Sequence, residues 1–159
     1  MLIDTHAHLN NLKDTEEVVR ESIESDVTEI ISVSTDIHSS IDNVKIANKF
    51  NQIFSAVGIH PCDIKTLELD DLDEIERLCT DTRNKAIGEI GLDFYYSRDN
   101  SKQQLAFFDR QIEIAENKNL PFIVHSRDSY KEVATFLKKR KPETNFVIHC
   151  FTGNKEDAK

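Results

Sequence analysis

Two histidines one residue apart, His6-Ala7-His8, close the apolar run that begins at Met1. In an extended chain residues i and i+2 point to the same face. Both imidazoles are therefore available to one divalent cation, with Ala7 on the opposite side. Three further polar residues hold the same position relative to an apolar run. They are Glu89 within Lys85–Gly91, His125 after Pro121–Val124, and His149 after Asn145–Ile148. Such runs read as buried parallel strands. Parallel strands of one sheet share a direction, so their C-terminal ends gather on one edge. Residues distant in sequence then meet in one cluster of imidazoles and a carboxylate, the donor set a divalent metal requires.

Each residue also has a plainer reading. An isolated His-x-His is as well explained by two ordinary histidines at a strand end. His125 and His149, taken singly, fit hydrogen-bonded core histidines, and their shared place in the strand register moves them toward ligation. A carboxylate inside a buried strand is costly unless paired or coordinated. A core arginine would serve Glu89, but no arginine falls within another apolar run, so Glu89 reads as a bridge between two metals. His60, in Gly58-Ile59-His60-Pro61, is open to a metal, a turn or a substrate phosphate, and phosphate is favoured. Arg127 offers a bidentate grip on a phosphate oxygen, or is a solvated loop charge or helix-cap partner. Asp93 lies four residues after Glu89, on the same face if the strand continues, and reads as support for a ligand or a water. His38 reads as a surface or cap residue, Arg98 and Lys102 as solvated charges, Cys79 as the buried face of a helix, and Cys150 as a core thiol pointing away from His149.

Six strands are expected to carry these groups: Leu2–His8, Glu29–Ser34, Ile53–Ile59, Lys85–Asp93, Pro121–Ser126 and Asn145–Phe151. Helical patterns separate them. Asp14-Thr15-Glu16-Glu17 resembles a capping box ahead of Val18, Val19 and Ile23. Helical spacing recurs at Ile41, Val44, Ala47 and Phe50, and at Leu72, Ile75, Leu78 and Cys79. Ser101 is placed to cap a long helix bearing Leu105, Phe108, Ile112 and Ala115. Tyr130, Val133, Ala134 and Leu137 form another helix, followed by Pro142, and Asn154–Lys159 reads as the start of one more. Alternating strands and helices define an α/β class with a parallel sheet. Neither GxGxxG nor a Walker sequence occurs. Chemistry drawn from several separate strand ends favours a barrel over an open doubly wound sheet, although a full (β/α)8 barrel takes at least about 200 residues.

Composition bounds the rest. The 159 residues suffice for one domain with a sizeable core. No window approaches a membrane span, and the N-terminus shows no basic patch before an apolar stretch and no small-residue cleavage site. Three dispersed cysteines suit free thiols in a reducing compartment, so the cytoplasm is the default location. A formal net charge of −9 does not attract a polyanion, so any nucleic acid must be held by a local site and its cations.

Together the segments Ile3–Leu9, Gly58–Pro61, Ile87–Tyr95, Pro121–Arg127 and His149–Gly153 resemble the TatD family of metal-dependent deoxyribonucleases, amidohydrolase-like TIM barrels. Gln104, Phe108 and Gln111 fit the helix that family has between its Glu and His segments. The resemblance runs the length of the chain. It implies a (β/α)8 TIM-barrel type with the first six β/α units present, in a single domain, residues 1–159, that is C-terminally incomplete. It further implies two divalent metal ions (Mg, Mn or Zn). His6 and His8 would hold the first, His125 and His149 the second, and Glu89 would bridge both, with His60 and Arg127 on substrate phosphate. The reaction implied is hydrolysis of DNA phosphodiesters, as a 3′-to-5′ exodeoxyribonuclease. Cys62 stands where the family often has a second histidine, and the family's eighth-strand aspartate has no counterpart. Weak binding at the first metal and low or no turnover are therefore expected for residues 1–159. A small-molecule metal hydrolase of the amidohydrolase type and an inactive truncated fragment remain the alternative readings.

Overall fold

The computed structural model describes residues 1–156. The segment Asp157–Lys159, part of the helix expected from Asn154, lies outside the described residues. Among the described residues six strands alternate with five α-helices: β1 (Leu2–Ala7), α1 (Thr15–Glu24), β2 (Val27–Val33), α2 (Ile37–Lys49), β3 (Ile53–Val57), α3 (Leu72–Leu78), β4 (Asn84–Asp93), α4 (Ser101–Asn117), β5 (Phe122–Arg127), α5 (Tyr130–Arg140) and β6 (Phe146–Ile148). The strands form one parallel sheet in the order β1-β2-β3-β4-β5-β6. Laid flat, five spacings would separate β1 from β6 by about 24 Å. Instead the rings of His6 on β1 and His149 after β6 stack with centroids 3.5 Å apart. The sheet is curled into a half-barrel, which decides between the two architectures that the strand pattern leaves open.

The core lies mainly between the sheet and the outer helices. Phe108, Ile112, Ile87, Leu92, Phe122 and Val124 are buried together there, and each large side chain removed from water contributes about 1.5–3 kcal/mol. A second cluster sets Val19 and Ala47 of α1 and α2 against Ile30 and Ile53. The concave face is narrower and carries smaller groups, Val33, Ala56, Ala86 and Ile123. At the edges the sequence misleads. Leu2 and Ile3 of β1 are 61% and 50% exposed, and Val147 of β6 is 57% exposed, because each of these strands has a neighbour on one side only.

Helix termini follow local chemistry. Asp14 accepts a hydrogen bond from Glu17 N (3.0 Å) and caps α1. At α2 the cap is a full box: Asp36 Oδ1 accepts from Ser39 N and Ser39 Oγ accepts from Asp36 N. Ser101 does not cap α4. It is the first helical residue, Asn100 holds the cap position, and no side chain closes that end. No helix among the described residues is long and apolar enough to cross a membrane.

Arg140 ties the outer layer together. Its guanidinium donates to both Glu116 oxygens (2.7 and 2.8 Å) and to Asp109 (2.6 Å), while Glu143 N donates to Glu116 Oε1 (2.9 Å). The Arg140 hydrogen bonds hold the Glu116 carboxyl below the usual carboxylate range. A carboxylate lowered by folding stabilises the protein above its unfolded value of about 4.3, and that contribution is lost as pH falls through the folded value. Arg140→Ala is expected to lower the melting temperature by about 3–6 °C at pH 7. The deficit should shrink below pH 4; one that stays constant down to pH 3 would show that the ion pair is not its source.

Candidate metal centre

The C-terminal strand ends are stitched by backbone hydrogen bonds. Glu89 N donates to Ser34 O (2.8 Å), His60 N to Thr35 O (2.7 Å) and His149 N to Val124 O (2.9 Å). Strand β4 can come this close to β3 because Gly58 and Gly88 face each other: a Cβ on Gly58 would lie 2.9 Å from Gly88 N. The Gly88–Glu89 peptide is cis.

Two groups of potential ligand atoms share Glu89. His6, His8 and Glu89 form one, and His60, Glu89 and His125 the other, with the donor atoms of each group within 4.8 Å of one another. His8 Nδ1 donates to Val33 O (2.8 Å), which fixes the tautomer and leaves Nε2 with a lone pair. His6 Nε2 is buried without a hydrogen-bond partner and sits 3.6 Å from Glu89 Oε2. An orphaned imidazole nitrogen beside a buried carboxylate is what a cation's ligand looks like before the cation is added, so these residues fit a metal. His125 lies between two carboxylates, Nδ1 3.0 Å from Glu89 Oε1 and Nε2 2.9 Å from Asp93 Oδ2.

Charge follows from this geometry. Burial works against an ionised Glu89, but the imidazoles of His125 and His6 outweigh it and hold the carboxyl well below the usual range. Burial also opposes a charged His125, yet Glu89 and Asp93 raise its affinity for a proton. His60 is pushed down to about 4, first by burial and then by His125, so it is neutral at pH 7, with its lone pair on Nδ1, where Cys62 N donates (3.1 Å). A cation entering beside His125 must displace the proton shared with the carboxylates, so uptake releases protons.

The other residues named from sequence fall as follows. His149 enters neither group; its ring stacks on His6 instead. Arg127 is the last residue of β5 rather than a loop residue, and its guanidinium stacks 3.6 Å from the Tyr95 ring centroid and 5.7 Å from that of Tyr96. Among the described residues it forms no ion pair with Glu89 or any other carboxylate. Asp93 is buried at the end of β4, against His125. Arg98 is exposed, as expected, and pairs with Glu132 (2.8 Å) while lying over Phe94. His38 is exposed and pairs with Asp42. Cys79 is buried, but Cys150 is not the core thiol expected: β6 ends at Ile148, the chain turns through φ 46° at Cys150, and strand alternation no longer applies.

Two positioning residues act through backbone groups that sequence spacing does not connect. Gln111 of α4 accepts from Ile59 N (2.7 Å) and donates to Ile59 O (3.1 Å), which fixes the segment leading to His60. Gln104, two turns earlier, accepts from Asp93 N and donates to Asp93 O, both at 2.9 Å. Polar residues seven apart on the buried face of an amphipathic helix are the signal that sequence offers for them. Gln111→Met leaves a buried N–H and C=O unsatisfied. It is expected to lower unfolding free energy by about 2–4 kcal/mol, read by urea denaturation, and an unchanged midpoint would refute the clamp.

The family model described as TatD related DNase matches residues 3–159. The chain belongs to the TatD family. It is 36% identical over 163 residues to the uncharacterized metal-dependent hydrolase YabD of Bacillus subtilis (strain 168), covering 100% of this chain and 64% of that protein. It is 30% identical over 146 residues to the 3′-5′ ssDNA/RNA exonuclease TatD of Shigella flexneri serotype 5b, covering 91% of this chain and 56% of that one. Among solved structures, YJJV, a TatD homolog from Escherichia coli K12, superposes with a TM-score of 0.89 at 25% identity, over 99% of this chain and 62% of its own. The chain thus spans a little under two thirds of the TatD relatives it matches. Its half-barrel is the corresponding part of their TIM-barrel fold.

Proposed function

We propose that this centre hydrolyses phosphodiester bonds of DNA, removing nucleotides from a 3′ end. The observation that carries the reading is the sharing of Glu89 between the His6–His8 pair and the His60–His125 pair. One carboxylate serving two imidazole pairs suits two divalent cations, with Mg²⁺, Mn²⁺ and Zn²⁺ all compatible with nitrogen and oxygen donors. When bound, such ions supply Lewis acidity, acidifying a water and offsetting charge on phosphoryl oxygens. His6, His8, Glu89 and His125 hold the ions in this reading, and His149 joins His125 by leaving its stack on His6. Asp93 fixes the His125 ring through Nε2. Arg127, without a carboxylate partner among the described residues, grips a phosphate oxygen. The exposed faces of Tyr95 and Tyr96 beside it suit stacking against a nucleobase. His60 shares a donor group with Glu89 and His125, so it would serve either a cation or a substrate phosphate. The free thiols support a reducing compartment, the cytoplasm.

The net charge of −9 favours the competing reading, a small-molecule metal hydrolase, because the surface as a whole repels DNA. The two separate under single-turnover conditions, with protein in excess over 5′-labelled single-stranded DNA and Mn²⁺ present. Stepwise shortening from the 3′ end, lost in Glu89→Gln and slowed about 10-fold or more in Arg127→Ala, is expected. Intact DNA alongside turnover of a lactone or simple phosphoester would overturn the nuclease reading, and silence toward every substrate would favour the inactive fragment over both.

A further inference from the structure

Beyond the shared carboxylate, a third set of unlike donors lies on the far side of His60. A ring nitrogen of His60, Cys62 Sγ and a carboxylate oxygen of Asp93 lie within 4.8 Å of one another. The geometry points to a third cation site at the rim of the half-barrel, built for a thiophilic divalent ion such as Zn²⁺ and distinct from the centre around Glu89. Nitrogen, sulfur and oxygen donors around tetrahedral zinc stand about 3.5 Å apart, given metal–ligand bonds of about 2.0–2.3 Å. The three atoms would close from within 4.8 Å to about 3.5 Å on binding. The thiolate selects against Mg²⁺ and Mn²⁺.

The donors are held in place by the same devices that build the centre. Gln111 clamps Ile59, just ahead of His60, and Cys62 N donates to His60 Nδ1 (3.1 Å) across the turn at buried Pro61, a hydrogen bond that a cation at that nitrogen would replace. Gln104 clamps Asp93. A cavity of about 140 Å³ opens beside Cys62 and Asp93, lined also by Lys65, Tyr96, Asn100 and Gln104, with His60 outside its lining. That is room for an ion and a water as fourth ligand. Thiolate and carboxylate together balance a dication. Zinc binding would displace the thiol proton. Because His60 also faces Glu89, and Asp93 also holds His125, occupancy of the rim site withdraws two groups from the centre.

Co²⁺ is the probe, since only thiolate ligation gives an intense charge-transfer band in the near ultraviolet. Titration of the full chain should produce that band, and it should persist in Glu89→Gln and Cys150→Ser. It should be absent from Cys62→Ser and shifted at least 10-fold to higher Co²⁺ in Asp93→Asn. No band in the parent protein, a band surviving Cys62→Ser, or one lost only in Cys150→Ser would overturn the assignment. A readout without variants runs beside it. Zn²⁺ should slow maleimide labelling of Cys62, followed by peptide mass spectrometry, and leave Cys150 unchanged. Equal protection of both thiols, or of neither, would contradict the rim site.

Discussion

Replacing Gly91 with alanine is expected to cost about 3–5 kcal/mol, a large part of the 5–15 kcal/mol that holds a typical domain folded. Gly91 pairs with His125 in the β4–β5 register and adopts φ +140°, a backbone conformation L side chains rarely take. A Cβ there would sit 2.1 Å from His125 O. The obstruction is backbone, so no side-chain rotamer relieves it; β4 and β5 must separate at the point where Glu89, Asp93 and His125 converge. The melting temperature should fall by about 10 °C or more, and the surviving folded fraction should bind Mn²⁺ poorly. A Gly91→Ala protein melting within 2 °C of the parent would contradict this account of the strand junction.

Glu89→Gln has the other large effect, on binding rather than folding. The replacement keeps the size of the side chain and removes the one negative charge that both imidazole groups share. Each group loses its carboxylate donor together, and His125 keeps only Asp93 as an anionic partner. Mn²⁺ affinity is expected to fall about 100-fold or more, since a charged donor is lost from both positions. Calorimetry checks this, with circular dichroism showing that the fold persists. An unchanged isotherm would place the cations elsewhere. Loss of one binding event with the other intact would mean that Glu89 serves a single ion.

Much of this centre is legible in the amino-acid sequence, for a reason specific to parallel sheets. Strand direction puts the ends of Leu2–Ala7, Asn84–Asp93 and Phe122–Arg127 on one edge, which gathers Glu89 and His125 on neighbouring strands, while His6 and His8, three strands from Glu89, reach it only through the curl of the sheet. The curl of the sheet is less legible, because an open sheet and a half-barrel share the same strand pattern; the approach of His6 to His149 distinguishes them. Where strands end is harder still. Asn145–Phe151 reads as one extended run, yet the paired segment is only Phe146–Ile148, which leaves His149 outside both donor groups and exposes Cys150. Gln104 and Gln111 stand out in sequence as members of a helix but not as backbone clamps, since their partners Asp93 and Ile59 are 11 and 52 residues away. Cys62 is conspicuous only as a substitution for histidine; its contact with Asp93 depends on the turn through Pro61, which no periodicity encodes.

The sharing of Glu89 between two cations is tested most directly by anomalous diffraction from crystals of the protein equilibrated with Mn²⁺. Two peaks flanking the Glu89 carboxylate are expected, one beside His6 and His8 and the other beside His125. A single peak, or density that does not touch Glu89, would contradict the two-cation centre and the hydrolytic chemistry proposed for it.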